Sequence, residues 1–160
     1  MLDLKITTLG LQGSPLFFRR LSSIKKLFQK AKLLLFELLP SDKQKILQRH
    51  SMIELAFVDT NKIHDLNKEF YKKAKPTDIL TFPLLEGGLL ATIAISPSDA
   101  YQKWRAEFRM FPVFECFLVF LIIHGILHAL YGAHRKFALL EDQFMQLYSQ
   151  QVCLTKPREK

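Results

Sequence analysis

Apolar and polar residues alternate over residues 2–8, with Leu2, Leu4 and Ile6 set against Asp3, Lys5 and Thr7. That is the two-residue period of a half-buried strand. Gly10, Gly13 and Pro15 then punctuate the chain. From residue 16 to 39 the period lengthens. Leu21, Ile24, Leu27, Phe28, Ala31, Leu34 and Leu35 recur at helical spacing, with Arg19, Arg20, Lys25, Lys26, Lys30 and Lys32 between them. Pro40-Ser41-Asp42 breaks this helix and suits the start of a short second one. Alternation returns over residues 53–59, a second strand. Asp59 and Thr60 are capping residues for a helix covering Ile63, Leu66, Asn67 and Phe70. Pro76-Thr77-Asp78 opens a strand over residues 79–82 that Pro83 ends, Gly87-Gly88 is a turn, and residues 89–96 form a third inner strand. Pro97-Ser98-Asp99 starts a helix to about Glu107. Phe111 or Pro112 starts a long apolar helix to Leu130, with proline in its first turn and Gly132 where a helix end needs a left-handed residue. A last helix covers about residues 140–154.

The order β-α-β-α-β-β-α-α-α predicts an α+β fold: a single compact domain over residues 1–155, with a small mixed sheet of about four strands flanked by helices. A hairpin is expected across Gly87-Gly88, and parallel pairing where a helix separates two strands. Residues 156–160 read as a basic tail.

Composition narrows this picture. A chain of 160 residues that is 49% hydrophobic, with 14 Phe, is neither disordered nor low in complexity. Two cysteines exclude a disulfide-stapled scaffold and a Cys-rich zinc module. Cys116 and Cys153 are expected to be free, with Cys116 in the core, as suits a reducing, cytoplasmic setting. The start of the chain shows no export signal. The most apolar run, residues 116–131, is 16 residues long, short of the roughly 20 a bilayer span needs. It is expected as a buried helix of a soluble core.

The formal charge of +8 is uneven. Residues 1–50 hold 10 Lys/Arg against 3 Asp/Glu, whereas residues 51–154 hold 10 against 11. A basic first third on a near-neutral body suggests an anionic partner, nucleic acid or acidic lipid. Phe17, Phe18, Leu21 and residues 33–36 lie beside lysines as they do in interfacial helices. The alternative, a core-packed helix with a solvated basic edge, is the expectation here.

Candidate chemistry sits elsewhere, in three histidines within 11 residues: His124, His128 and His134. The first two are four apart and share one face of the apolar helix. The chain leaves that helix near Gly132, so it can fold back and bring His134 to the same point. Three neutral nitrogens and an open fourth position describe a catalytic zinc site. Two imidazoles left unpaired in an oily helix would cost about 1–3 kcal/mol each, which favours a metal over three separately satisfied histidines. The same spacing occurs in metzincin proteases, where a glutamate follows the first histidine as general base. Gly125 holds that place here, which argues against a peptidase.

The string His124-Gly125-Ile126-Leu127-His128-Ala129-Leu130-Tyr131-Gly132-Ala133-His134 resembles the H-G-x-L-H-L-x-G-Y-D-H signature of the YbeY family, bacterial metal-dependent endoribonucleases also called rRNA maturation factors. Asp65-Leu66-Asn67, followed by Lys75-Pro76-Thr77-Asp78-Ile79-Leu80-Thr81-Phe82-Pro83, is similar to the family's second motif. Phe57-Val58-Asp59 and the final helix with Met145 fit as well. The resemblance covers roughly residues 50–155, and it rests on two separated motifs in the right order.

The resemblance implies one zinc ion held by His124, His128 and His134. It implies endonucleolytic cleavage of single-stranded RNA in the 3′-end maturation of small-subunit (16S) rRNA and in ribosome quality control. RNA of the small ribosomal subunit and ribosome-associated proteins are then the partners, with no membrane. The family's cleft arginine falls on Tyr71 here. Lys72, Lys73 and Lys75 are the candidate substrate-binding residues in its place, as point charges instead of a bidentate fork. Ala91-Thr92 and Gly132-Ala133 replace the family's Gly-Asp and Tyr-Asp, so an aspartate that could orient a ligand is missing. No general base is evident. Asp78 is the nearest by motif, although an Asp after Pro-Thr is more often a turn or capping residue. The alternative function is a non-catalytic rRNA-binding assembly factor with a structural metal. The resemblance tilts the reading of the basic first third from lipid to nucleic acid. Lys25, Lys26 and Lys30 then belong to a docking surface outside the active centre.

Overall fold

The alternating segments pair into one mixed sheet. In the computed structural model, which describes residues 2–9 and 15–153, the strands are β1 (Asp3–Leu9), β2 (Met52–Val58), β3 (Ile79–Glu86) and β4 (Leu89–Ile95). The sheet order is β1-β2-β4-β3, with β1/β2 and β2/β4 parallel and β3/β4 antiparallel. The hairpin turns on Gly87 and Gly88, with φ of +59° and +79°. A two-residue loop matching strand twist needs positive φ at both positions, which glycine supplies without strain. The basic tail expected at residues 156–160 lies outside the described residues.

Among the described residues six helices cover the sheet: α1 (Pro15–Leu38), α2 (Ser41–Arg49), α3 (Thr60–Tyr71), α4 (Pro97–Glu107), α5 (Phe114–Tyr131) and α6 (Ala138–Gln151). One face of the sheet buries Ile53, Leu55, Phe57, Ile93 and Ile95 in the main core with α1, α5 and α6. The other buries Ala56, Val58, Leu80 and Ala94 around Ile63 of α3. Asp59 caps α3, its carboxylate accepting from the Lys62 N–H at 2.7 Å, as the sequence indicates.

Three boundaries differ from expectation. β3 does not end at Pro83 but runs on to Glu86, with Pro83 opposite Ala91. β3 is an edge strand, where a missing N–H costs the sheet nothing on its outer side. α5 begins at Phe114, not at Phe111 or Pro112. Phe111 is fully buried in the connector, donating its N–H to Phe108 O (3.1 Å) and accepting from Trp104 Nε1 (3.0 Å). α6 starts at Ala138, directly after a 3-10 turn, His134–Lys136, which no sequence pattern announced.

The cysteine expectation is corrected outright. Cys116, in the first turn of α5, and Cys153, just past α6, are joined in a disulfide with Cα atoms 6.2 Å apart. The packing of α6 on α5 brings them together, and Tyr148 on α6 donates its hydroxyl to Cys116 O at 2.9 Å.

By length and composition α5 could cross a membrane, but 78% of it is buried inside the domain. The apolar stripe of α1 is spent in the same way: Ile24, Phe28, Ala31 and Leu35 are buried in the core, while Lys25, Lys26 and Lys30 are exposed.

Gly125 sets how close α5 lies to the sheet. A Cβ there would fall 2.7 Å from Ile93 Cδ1 and 2.9 Å from Thr81 Oγ1. Gly125→Ala is therefore expected to destabilise the fold by about 1–3 kcal/mol, an overpacking cost at a buried helix–sheet contact. Urea denaturation would register it as a lower midpoint at unchanged slope.

Candidate metal centre

The apolar helix α5 ends by presenting two imidazoles one turn apart. The His124 and His128 ring centres are 4.6 Å apart and nearly perpendicular, with their Nε2 atoms 3.1 Å apart. Each ring is held from behind. His128 Nδ1 lies 2.7 Å from Gly132 O, and a carbonyl can only accept, so Nδ1 carries the proton and Nε2 keeps a lone pair. Gly132 can supply that carbonyl because its φ of +80° turns the chain sharply off the helix. His124 Nδ1 donates to Glu141 Oε2 at 2.5 Å, which frees the His124 Nε2 lone pair in the same way. Two lone pairs facing each other at this distance repel unless a cation or proton lies between them. The donor chemistry thus fits a divalent metal, and a ligating histidine backed by a carboxylate or a carbonyl is the usual outer arrangement of such sites.

His134 arrives from the 3-10 turn. Its Nε2 donates to Glu141 Oε1 at 3.1 Å, and its ring centre lies 5.6 Å from that of His124 and 6.4 Å from that of His128. His124, His134 and Glu141 offer ligand atoms all within 4.8 Å of one another, and could hold a metal ion. His128 meets this group through His124. The sequence placed the three histidines but missed Glu141, whose carboxylate gives one oxygen to each of two imidazoles. It also missed Phe137, a buried ring whose centre lies 5.7, 4.9 and 5.0 Å from those of His124, His128 and His134.

Burial, reinforced by the neighbouring His124 and His134, pushes His128 below the usual histidine range against the opposing pull of Gly132 O. The neutral imidazole is the form that binds metal. Burial of Glu141 opposes its ionisation, but hydrogen bonds and charge from His124 and then His134 outweigh it, so the carboxyl sits below its ordinary value.

A cleft of about 560 Å³ opens beside the pair, lined by His124, His128, Tyr71, Lys73 and Lys75. Buried Asn67 shapes the lysine segment. Its side chain donates to Lys75 O at 2.9 Å, and its backbone carbonyl accepts from the N–H groups of Lys72 and Lys73. Lys72 closes α3 with φ of +54° and does not line the cleft, whereas Lys73 and Lys75 do. Asp78 is not a surface turn residue. It is buried in the cleft wall, with Oδ1 3.5 Å from Lys103 Nζ and Oδ2 without a hydrogen-bond partner among the described residues. Lys103 is a cleft cation that no motif indicated.

A family model described as Endoribonuclease YbeY matches residues 21–152. Curated proteins of that name are similar to this chain. One from Malacoplasma penetrans is 31% identical over 112 residues, covering 69% of this chain and 72% of the relative. Another from Carboxydothermus hydrogenoformans is 31% identical over 93 residues (54% and 60%), and one from Aliarcobacter butzleri is 40% identical over 82 residues (49% and 56%). The chain thus spans between about half and three quarters of the length of these relatives. A solution structure from Thermotoga maritima is 24% identical, covers 98% of this chain and 100% of its own, and has a TM-score of 0.47. With the family model matched over most of its length, the chain belongs to the YbeY family.

Proposed function

We propose that the protein is a metal-dependent endoribonuclease that cuts single-stranded RNA with one zinc ion, in the 3′-end maturation of 16S rRNA and in ribosome quality control, and that it works in the cytoplasm, a setting supported by the family and not by its paired cysteines. The observation that carries this reading is the pair of Nε2 atoms of His124 and His128, 3.1 Å apart at the wall of a lysine-bearing cleft, in a chain of this family.

His124, His128 and His134 would hold the metal, with Glu141 behind two of them. When bound, a divalent ion supplies Lewis acidity and a water that deprotonates near neutral pH. The rest falls to the chain itself. Lys73 and Lys75 attract backbone phosphates into the cleft, and Lys103, paired with Asp78, adds positive charge beside it. Phe137 shields the histidines on the core side, where a drier setting strengthens every charge interaction.

Elemental analysis of the purified protein, with single-turnover cleavage of a 16S precursor fragment with and without chelator, tests the reading. One equivalent of metal and chelator-sensitive cleavage are expected. RNA that is bound but never cut would instead support a non-catalytic assembly factor with a structural metal. One observation favours that second reading: among the described residues no arginine lines the cleft, so bidentate phosphate recognition is missing.

The exposed basic face of α1 is the proposed docking surface for rRNA. Changing Lys25, Lys26 and Lys30 to Gln is expected to weaken RNA binding and to flatten the slope of log affinity against log salt by about 2, the effect of three lost phosphate contacts on a single strand. An unchanged slope in a titration by fluorescence anisotropy would mark the face as merely solvated.

A further inference from the structure

The cleft carries a feature that charge attraction does not require. Tyr71, the last residue of α3, lines it while remaining 42% exposed. The ring does not hang free. Its hydroxyl donates to Thr81 O on β3, and its centre lies 5.8 Å from that of Phe82. Phe82 in turn meets Phe70 edge-on at 5.3 Å, and Phe70 is 58% exposed. Three aromatic rings thus stand together, Tyr71 on the cleft and Phe82 and Phe70 behind it. Directly after Tyr71, Asn67 holds the backbone of the lysine segment that carries Lys73 and Lys75 on the cleft.

Flat apolar surface next to cleft cations matches one ligand chemistry well: a nucleobase between phosphates. A base gains by stacking on an aromatic face whatever its identity, while the phosphates on either side meet the lysines. A ring already anchored at its hydroxyl loses little freedom when a base settles on it, so more of the contact energy is kept. We propose that Tyr71 is a stacking platform for an unpaired base of RNA in the cleft, and so a determinant of single-strand specificity. This rests on the RNA-cleaving reading above. A base inside a duplex is already stacked on its neighbours and gains nothing here, so the platform discriminates strandedness without reading sequence.

The test is stopped-flow anisotropy with the metal-loaded protein, read before cleavage begins. The probes are a fluorescein-labelled oligouridylate and an abasic ribose-phosphate oligomer of equal length and charge. The native protein should prefer the oligouridylate by roughly tenfold, the scale of one stacked base. Tyr71→Phe, which keeps the ring but not its hydroxyl anchor, should retain most of that preference. Tyr71→Leu should bind both probes alike, at the abasic level, with the salt slope of the native protein because no charge has changed. Equal affinity of the native protein for the two probes, or a preference that survives in Tyr71→Leu, overturns the platform and leaves the nuclease reading standing if cleavage persists. Native protein that neither binds nor cuts the oligouridylate overturns both. Circular dichroism and a thermal melt of each variant exclude unfolding as the cause.

Discussion

Replacing His124 with alanine is expected to lower single-turnover RNA cleavage by about 10³-fold or more and to leave the protein without tightly bound metal. His124 is the hinge of the centre. Its Nε2 faces that of His128 at 3.1 Å, its Nδ1 holds Glu141 at 2.5 Å, and its ring contacts those of both His128 and His134. A metal that polarises a scissile phosphate contributes several kcal/mol of transition-state stabilisation. Losing about 4 kcal/mol of it gives the thousandfold figure. The substitution also strips Glu141 of one of its two partners, which costs the buried carboxylate about 1–3 kcal/mol of stability. Cleavage and metal content should be measured beside a thermal melt, so that lost chemistry is separated from lost fold. Full metal occupancy with normal cleavage would remove the centre from the mechanism.

The second large effect is expected at Glu141. Glu141→Gln keeps the shape of the side chain but removes its charge and one of its two acceptor oxygens, so it can no longer accept from both His124 and His134. Metal affinity, measured by competition with a chromophoric chelator, should fall by about 10- to 100-fold, the usual cost of losing the group that orients a ligating histidine. Cleavage at saturating metal should recover most of its native rate if Glu141 acts by positioning. An unchanged affinity would mean that the carboxylate merely fills space between two rings.

The two substitutions also show where sequence reading stopped. The histidine pair was legible because a four-residue spacing on one helix fixes its geometry locally. Asp59 capped α3 and Gly132 ended α5 for the same reason: each role is decided within a turn of the residue itself. Glu141 was not legible. It reaches the site only because a 3-10 turn at His134–Lys136 redirects the chain and because Phe144 and Tyr148 dock α6 in the core. That register is a tertiary outcome. The same holds for Cys116 and Cys153, 37 residues apart, which helix packing alone brings together. It holds for Lys103, which comes to the cleft from α4. Pro83 misled for a related reason. A proline ends a central strand but is tolerated on an edge, and which strand is the edge is a property of the whole sheet. Lys72, Lys73 and Lys75 formed one cluster in the sequence, and the left-handed turn at Lys72 divides them into a cap and two cleft cations.

The contact of Gly125 with Ile93 and Thr81 bears on what this fold can evolve into. The distance from H-G-x-x-H to H-E-x-x-H is short in codons, since GGN and GAR differ by as little as one base. It is longer in structure, since any side chain at position 125 meets the side chains of Ile93 and Thr81, which must shift before it can act. The close pairing of helix and sheet therefore hinders the mutational path from this histidine site to a glutamate-assisted hydrolase of the protease kind. Such a transition would need compensating changes at positions 93 and 81 to be in place first.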